Sequence, residues 1–172
     1  GFQEVWTLKF ENKSEKTRTL SIFSAVTFEL EGFLYPRYYE MYRSLETSFD
    51  RKLNGIYCSS AHPFAPHKRY NAYLASSEPV YAYDGDLAKF CGGAGSITKQ
   101  DASAYALFQR PDVVISGGDC TNSEAALFIL GGVLQHKITL QPGETKEIGV
   151  VFGVSESLDE ARGVSEAYAK PE

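Results

Sequence analysis

The segment from Tyr35 to Arg43 concentrates side chains that could contact a sugar. Four tyrosines, two arginines and a methionine fall within nine residues. Tyrosine rings stack on sugar faces, and arginine forks donate hydrogen bonds to hydroxyl or phosphate oxygens. The same segment also fits an aromatic loop packed on its own sheet. The candidate contacts to a sugar or a partner subunit are Tyr35, Arg37, Tyr38, Tyr39, Tyr42 and Arg43.

Other motifs that could carry chemistry are weak. His62 and His67 flank a proline-rich loop and have no third ligand at a suitable spacing, so we predict no metal site. The glycine-rich stretch 91–96 lacks the ending of a phosphate loop, and no Gly-x-Ser-x-Gly elbow occurs. We therefore predict no cofactor and no catalytic residue in this chain. A mutarotase-type enzyme stays open as an alternative, with His136 as its candidate histidine.

Composition narrows the class of partner. The chain has 172 residues, a formal net charge of −5 and no basic run, which argues against nucleic acid. No apolar run of transmembrane length and no signal-peptide pattern occurs, so we expect neither a membrane nor secretion. Cys58, Cys91 and Cys120 are odd in number and widely spaced, which is typical of reduced thiols in a cytoplasmic protein. The strand-like start and helix-like end predict a fragment of a longer protein.

Alternating apolar residues predict strands over most of the chain. Residues 4–10 alternate, with Trp6 and Phe10 expected in the core, and a polar turn leads to a second strand over 18–30. We predict that these two strands pair as a hairpin. Trp6→Ala is then expected to cost about 3–5 kcal/mol, as a large-to-small change in the core.

The rest of the chain continues the same pattern up to a final helix. Asn54-Gly55 predicts a hairpin turn, and Ser157 with Glu160 forms a capping box at the start of the helix. The fold class is thus all-β, an antiparallel β-sandwich with a short C-terminal helix. The remaining elements predicted are strands over 71–83, 113–115, 125–140 (broken near 131–132) and 148–154, and one helical turn over 86–90.

The ordered set of motifs resembles the N-terminal domain of family-94 glycoside phosphorylases, formerly grouped as glycosyltransferase family 36. Glu4-Val5-Trp6-Thr7-Leu8 with Asn12 and Ser14, followed by Arg18-Thr19-Leu20, resembles the first two strands of that domain. Leu140-Gln141-Pro142-Gly143-Glu144, followed by Val151-Phe152-Gly153, resembles its closing hairpin. The family includes cellobiose and chitobiose phosphorylases and domains of cyclic β-1,2-glucan synthases.

This resemblance implies a β-supersandwich of the galactose mutarotase type, present here as an incomplete sandwich. It implies a carbohydrate-binding-like domain over 1–154, and over 155–172 the start of a linker helix toward a missing catalytic (α/α)6 barrel. It also implies homodimers in which this sandwich approaches the neighbouring active site. Tyr42-Arg43 falls where cellobiose phosphorylases carry Gln-Arg near the sugar site, and Tyr replaces that Gln.

We therefore expect a non-catalytic carbohydrate-binding or assembly domain of a glycoside phosphorylase or glucan-processing glycosyltransferase that acts on β-glucosides. Its expected partners are the oligosaccharide substrate of the parent enzyme, the barrel of the same chain and a second subunit. One alternative is a purely structural dimerisation sandwich that binds no sugar. The other alternative is the mutarotase-like enzyme.

Overall fold

Two antiparallel sheets packed face to face form the body of the protein, as the sequence predicts. The structure, a computed structural model, describes residues 2–28, 45–60, 71–92, 111–126 and 130–168. In spatial order, sheet A contains β1 (Gln3–Glu11), β8 (Thr145–Ser155), β5 (Asn71–Ser76), β4 (Gly55–Ser60) and β3 (Leu45–Asp50). Sheet B contains β2 (Arg18–Thr27), β7 (Leu130–Leu140) and β6 (Ala82–Asp86).

Three helices lie outside the two sheets in the described part of the chain. They are α1 (Leu87–Cys91), α2 (Asp112–Ile115) and α3 (Leu158–Tyr168). The Asp86 side chain caps α1 by accepting a hydrogen bond from the Ala88 amide. This helix confirms the helical turn predicted over 86–90.

The main core lies between the sheets because successive side chains of a strand point to opposite faces. On β7, Leu134 and Ile138 point inward and meet Leu74 and Ile148 of sheet A. Each buried aliphatic side chain of this kind contributes about 1.5–3 kcal/mol. On β8, the alternation over 148–154 identifies the inner face correctly, since Ile148 and Val150 belong to this core.

Each sheet also buries part of its outer face. Ala161 of α3 packs with Tyr73 and Val151 on the outer face of sheet A. On sheet B, Leu87 and Phe90 of α1 pack over Val133. Ser157 Oγ accepts from the Glu160 amide at 3.2 Å, which confirms the predicted cap of α3.

The predicted β1–β2 hairpin is wrong. β1 pairs with β8 in sheet A, and β2 pairs with β7 in sheet B, so the turn between them crosses from one sheet to the other. Buried Asn12 directs this crossing, because its Nδ2 donates to the carbonyls of Lys16 at 2.8 Å and of Leu140 at 2.9 Å. The Leu140 contact links the end of β1 in sheet A to the end of β7 in sheet B.

The strand predicted over 71–83 is two strands in different sheets. β5 ends at Ser76 and β6 begins at Ala82. Ser76 and Pro79 explain the break: the Ser76 side chain accepts from the Glu78 amide, and proline cannot donate to a strand ladder. The chain uses these residues for a second crossing between the sheets.

The strand predicted over 113–115 is also wrong, since these residues form α2, which follows Pro111. The predicted break at Gly131 and Gly132 does not occur, and β7 runs through both residues. A Cβ at Gly131 would lie 2.5 Å from Leu87 Cγ, so glycine here permits α1 to approach the sheet.

Trp6 is less buried than predicted. Trp6, Leu8 and Phe10 do share the inner face of β1, but each is only partly buried against the core. The reason is that β1 is the edge strand of a five-stranded sheet that faces a three-stranded one. The Trp6 indole N–H reaches the Glu4 carboxylate at 2.8 Å, at an exposed position.

The turn predicted at Asn54-Gly55 is confirmed. Residues 51–54 connect β3 to β4, and Asn54 has φ 51°, in the left-handed region that asparagine tolerates. A Cβ on Gly55 would lie 2.2 Å from the Leu74 carbonyl oxygen. The pair therefore supplies both the turn conformation and the close strand contact.

Candidate functional site

The six predicted contact residues between Tyr35 and Arg43 lie outside the described residues. The structure does fix both ends of the connection that carries them. Phe28 is buried, donates its amide to the Leu130 carbonyl at 3.1 Å and stacks on Phe152 with ring centroids 6.3 Å apart. Leu45 is buried at the start of β3. The connection therefore leaves sheet B and rejoins sheet A at the same end of the sandwich.

That end, which we name the loop end, carries the longer connections between the described strands. The opposite end, named the turn end, is held together by Asn12, which donates its backbone amide to the Glu144 carbonyl at 2.9 Å. The connections at the loop end are 28–44, 61–70 and 87–129, and those at the turn end are 12–17, 51–54, 77–81 and 141–144.

A segment that we name the strap, residues 119–126, fixes the sheet edges beside the loop end. It bonds to β6 through Gly85, whose amide donates to the Ser123 carbonyl at 2.7 Å. It bonds to β3 through Thr47, whose amide donates to the Ala125 carbonyl at 2.8 Å. Because Thr47 lies two residues after Leu45, the strap holds the point at which the candidate loop rejoins the sheet.

Asp84 organises the strap. Its side chain is 0% exposed on the outer face of sheet B. One oxygen, Oδ1, accepts from Thr121 N at 3.0 Å and Oγ1 at 2.7 Å, and from Ser123 N at 3.2 Å and Oγ at 2.8 Å. A carboxyl oxygen that accepts so many bonds fixes the backbone that donates them. The strand predicted over 71–83 stops just before Asp84, so the sequence pattern gives no indication of this role.

The candidate histidine of the mutarotase-like alternative is a core residue. His136 lies on β7, as predicted, and is 1% exposed between the sheets. Its Nε2 shares a 2.9 Å hydrogen bond with Ser76 Oγ. Burial lowers the pKa of His136 from 6.5, which favours the neutral ring. An enclosed side chain of this kind does not face an open sheet surface.

The thiols and histidines offer no metal site in the ranges that the structure describes. His62 and His67 lie outside those ranges, and no group of three or more His, Cys, Asp or Glu side chains occurs within them. Burial raises the pKa of Cys58 to about 12 and of Cys91 to about 11, so both thiols are protonated at neutral pH. Protonated thiols are poor nucleophiles and poor metal ligands.

Sequence reasoning missed a polar cluster on the outer face of sheet B. Lys137 Nζ lies 2.9 Å from both carboxylate oxygens of Asp119 and 4.1 Å from the centroid of the Tyr81 ring. Gln135 Nε2 donates to Asp119 at 2.8 Å. The three chain segments that meet here are far apart in sequence, and the one available signal was the outward position of Lys137 in the alternation of β7.

A cleft of about 560 Å³ lies where α3 crosses the β3–β4 turn. Arg162 there donates to both oxygens of Asp50, at 3.0 and 2.6 Å, and the Arg162 hydrogen bond lowers the pKa of that carboxyl. Asn54 and Ser165 also line it, and both donate to nearby carbonyls. Because these groups are already bonded, we attribute the cleft to helix docking.

None of the helices in the described part of the chain has the length and apolar character of a membrane span.

Two of the relatives of this chain are phosphorylases from the same organism. It is 27% identical over 168 residues to a solabiose phosphorylase from Paenibacillus borealis, covering 98% of this chain and 20% of that protein. It is 27% identical over 173 residues to a 3-O-beta-D-glucopyranosyl-beta-D-glucuronide phosphorylase from the same organism, covering 94% of this chain and 19% of that protein.

A third relative is an N,N'-diacetylchitobiose phosphorylase from Vibrio furnissii, 25% identical over 157 residues, covering 91% of this chain and 18% of that protein. The chain thus spans about a fifth of the length of these relatives. The sequence profile described as "Glycosyl hydrolase 94, supersandwich domain" matches residues 3–171. The match extends over nearly the whole chain, and the two-sheet fold agrees with it. The chain belongs to the glycosyl hydrolase 94 supersandwich-domain family.

Proposed function

We propose that this chain is the non-catalytic, carbohydrate-associated part of a glycoside phosphorylase that acts on β-glucosides. The observation that carries the proposal is the loop end, where the Tyr35–Arg43 segment rejoins the sandwich at Leu45 beside the strap. Binding residues are often placed on loops that a rigid scaffold positions. The relatives are phosphorylases of glycosides, which gives the class of parent enzyme.

In this proposal residues 1–154 form the carbohydrate-binding-like sandwich, and residues 155–172 begin the link to a catalytic (α/α)6 barrel in the same cytoplasmic protein. Arg43 and Tyr42 contact either the oligosaccharide substrate or the second subunit of a homodimer. The proposed catalysis belongs to the barrel. The isolated chain is therefore expected to show no phosphorolysis of β-glucosides, and turnover that is lost on mutating a residue of this chain would contradict the non-catalytic role.

The test of the loop is Arg43→Ala in the full-length enzyme. We expect kcat/KM for phosphorolysis to fall by about tenfold or more if the guanidinium contacts substrate. We expect a weaker dimer in light scattering across dilution if it contacts the partner subunit. Thermal stability should change little in either case, because a core position would require a paired guanidinium.

Arg51→Ala is the matched control. Arg51 is an exposed arginine in the turn at the other end of the same β3–β4 hairpin. We expect wild-type activity and assembly from this variant. If Arg43→Ala also retains both, the loop is ordinary surface and the assignment of Tyr35–Arg43 fails.

A further inference from the structure

The outer face of sheet B is covered only in part. Near the loop end α1 and α2 pack over Val133. Nearer the turn end, Lys137 and its neighbours on β2 are exposed. The cluster of Tyr81, Asp119, Gln135 and Lys137 stands at the boundary between the two halves and is named the outer-face cluster. It contains Asp119, the first residue of the strap, but no residue of the Tyr35–Arg43 segment, so it calls for a separate explanation.

The cluster is built on a buried anchor. Gln135 is 0% exposed, its Oε1 accepts from the Cys120 amide at 2.8 Å and its Nε2 donates to Asp119 at 2.8 Å. Tyr81 Oη donates to Asp119 at 3.3 Å. The carboxylate of Asp119 is therefore held in place while remaining accessible to solvent. Polar groups held in this way lose little entropy when a ligand binds.

Tyr81 offers an apolar ring beside these polar groups. Its side chain is among the exposed large hydrophobic groups, with 54% of the residue exposed, although Lys137 Nζ lies over one ring face. More than half of the residue is thus accessible to a ligand. A ring face next to fixed donors and acceptors suits a pyranose, which has apolar C–H faces and a rim of hydroxyl groups.

The strand surface next to the cluster, which we name the floor, is rich in hydroxyl groups. Ser21 lies directly opposite Lys137 in the β2–β7 register, and Thr19 lies opposite Thr139. Thr19, Ser21 and Thr139 are exposed, and the two threonine hydroxyls share a hydrogen bond of 3.0 Å. Small side chains leave room for a ligand that extends along the sheet from Tyr81, over more than one sugar ring.

Charge favours a neutral ligand. The hydrogen bond from Lys137 lowers the pKa of Asp119, and the same bond raises the pKa of Lys137. Both groups are then charged near neutral pH, and together they have no net charge. An anion or a cation gains little from such a pair, whereas hydroxyl groups can both donate to it and accept from it.

We propose that the outer-face cluster, with the hydroxyl-lined floor of β2 and β7, binds a neutral oligosaccharide chain through residues other than those of the Tyr35–Arg43 segment. The proposal extends the carbohydrate-associated role proposed above. It adds a second contact, which would hold a long glycan on the enzyme without touching the reacting bond.

The experiment is affinity electrophoresis of the full-length protein in gels that contain hydroxyethyl cellulose, laminarin or glycol chitin. We expect at least one polymer to retard the wild-type protein. Tyr81→Ala should weaken that retardation constant by about tenfold, and Tyr81→Phe, which keeps the ring, should retain most of it. Tyr168→Ala is the matched control, because Tyr168 on α3 is 51% exposed and far from the cluster in the fold.

Retardation by none of the polymers, or equal retardation of wild type and Tyr81→Ala, overturns the proposal. Loss of retardation in Arg43→Ala but not in Tyr81→Ala also overturns it and leaves the loop end as the sugar contact. Loss in Tyr81→Ala with unchanged activity on a disaccharide supports it, even if Arg43→Ala proves silent. Thermal unfolding of each variant confirms that the fold is intact.

Discussion

The two lateral sides of the sandwich are closed by different means. On one side, the strap bonds to the edge strands β6 and β3 and joins the two sheets. On the other side, within the described ranges, no strand pairs with the outer edge of β1 or β2. Apolar residues of both strands there, such as Trp6 and Ile22, are only partly buried.

On the strap side, polar contacts add to apolar packing, since the Phe49 ring of β3 stacks on the Tyr83 ring of β6 with centroids 4.3 Å apart. Two of the strap's bonding residues, Thr121 and Ser123, are small and polar, and both donate to one carboxyl group, that of Asp84. An edge strand that is bonded to a covering segment cannot pair with another chain, whereas an uncovered edge can. The strap side is thus fixed internally, while the side of β1 and β2 relies on partly buried side chains.

The largest expected effect is that of Asp84→Ala. Removing a buried acceptor leaves up to four donors of the strap without their partner, so we expect a loss of about 3 kcal/mol in the free energy of unfolding. Urea denaturation monitored by circular dichroism measures this loss.

Thr47→Val removes a weaker contact of the same strap, the hydroxyl that accepts from the Ala125 amide at 2.8 Å. This change should cost about 1 kcal/mol in the free energy of unfolding.

Equal losses for Asp84→Ala and Thr47→Val would contradict the central role of Asp84. A useful matched variant is Asp86→Ala, which removes the cap of α1 on the same strand and should cost about 1 kcal/mol. If Asp86→Ala costs as much as Asp84→Ala, the strap is not what closes this side.

The contacts of the strap could not be predicted from the sequence. Alternation along a strand indicates which face is buried, and it identified the inner faces of β1 and β8. It does not report which strand is the neighbour, because pairing depends on residues such as Asn12 that bond across the sheets. Asp84 and Ser123 are remote in sequence, and nothing local to either one indicates the other.

Trp6→Ala probes the other side. The indole is partly buried, so we now expect about 2 kcal/mol, below the 3–5 kcal/mol predicted for a core tryptophan. The measurement is the same urea titration. A loss of 3 kcal/mol or more would show that further residues cover β1 and β2. A loss below about 0.5 kcal/mol would show that Trp6 is free surface, available to a ligand.

The smallest expected change in the free energy of unfolding is that of His136, which lies on β7 between the two lateral sides of the sandwich. Burial lowers its pKa below 6.5, so the unfolded chain binds a proton more readily than the folded one as pH falls below 6.5. Stability should therefore decrease from pH 6.5 down to the lowered pKa of the folded state. His136→Gln should flatten that part of the profile, and unchanged slopes would mean that the ring titrates normally.

The two candidate sites differ in whether the sequence alone could reveal them. The Tyr35–Arg43 loop stands out by composition alone, because its residues are contiguous, and it remains a prediction. The outer-face cluster was missed because Tyr81, Asp119 and Lys137 come from three segments that only the fold brings together. Contiguous aromatic loops can be found in sequence, whereas surfaces assembled across strands cannot.

The position of β8 in sheet A has a consequence for how the chain folds. β8 is the last strand, yet it lies between β1 and β5 and pairs residue 3 with residue 153. Sheet A therefore cannot close until nearly the whole of this chain has left the ribosome, and pairing at such long range is intrinsically slow. During that interval the backbone of β1 lacks its partner strand, and an unpaired strand edge of this kind is prone to aggregation.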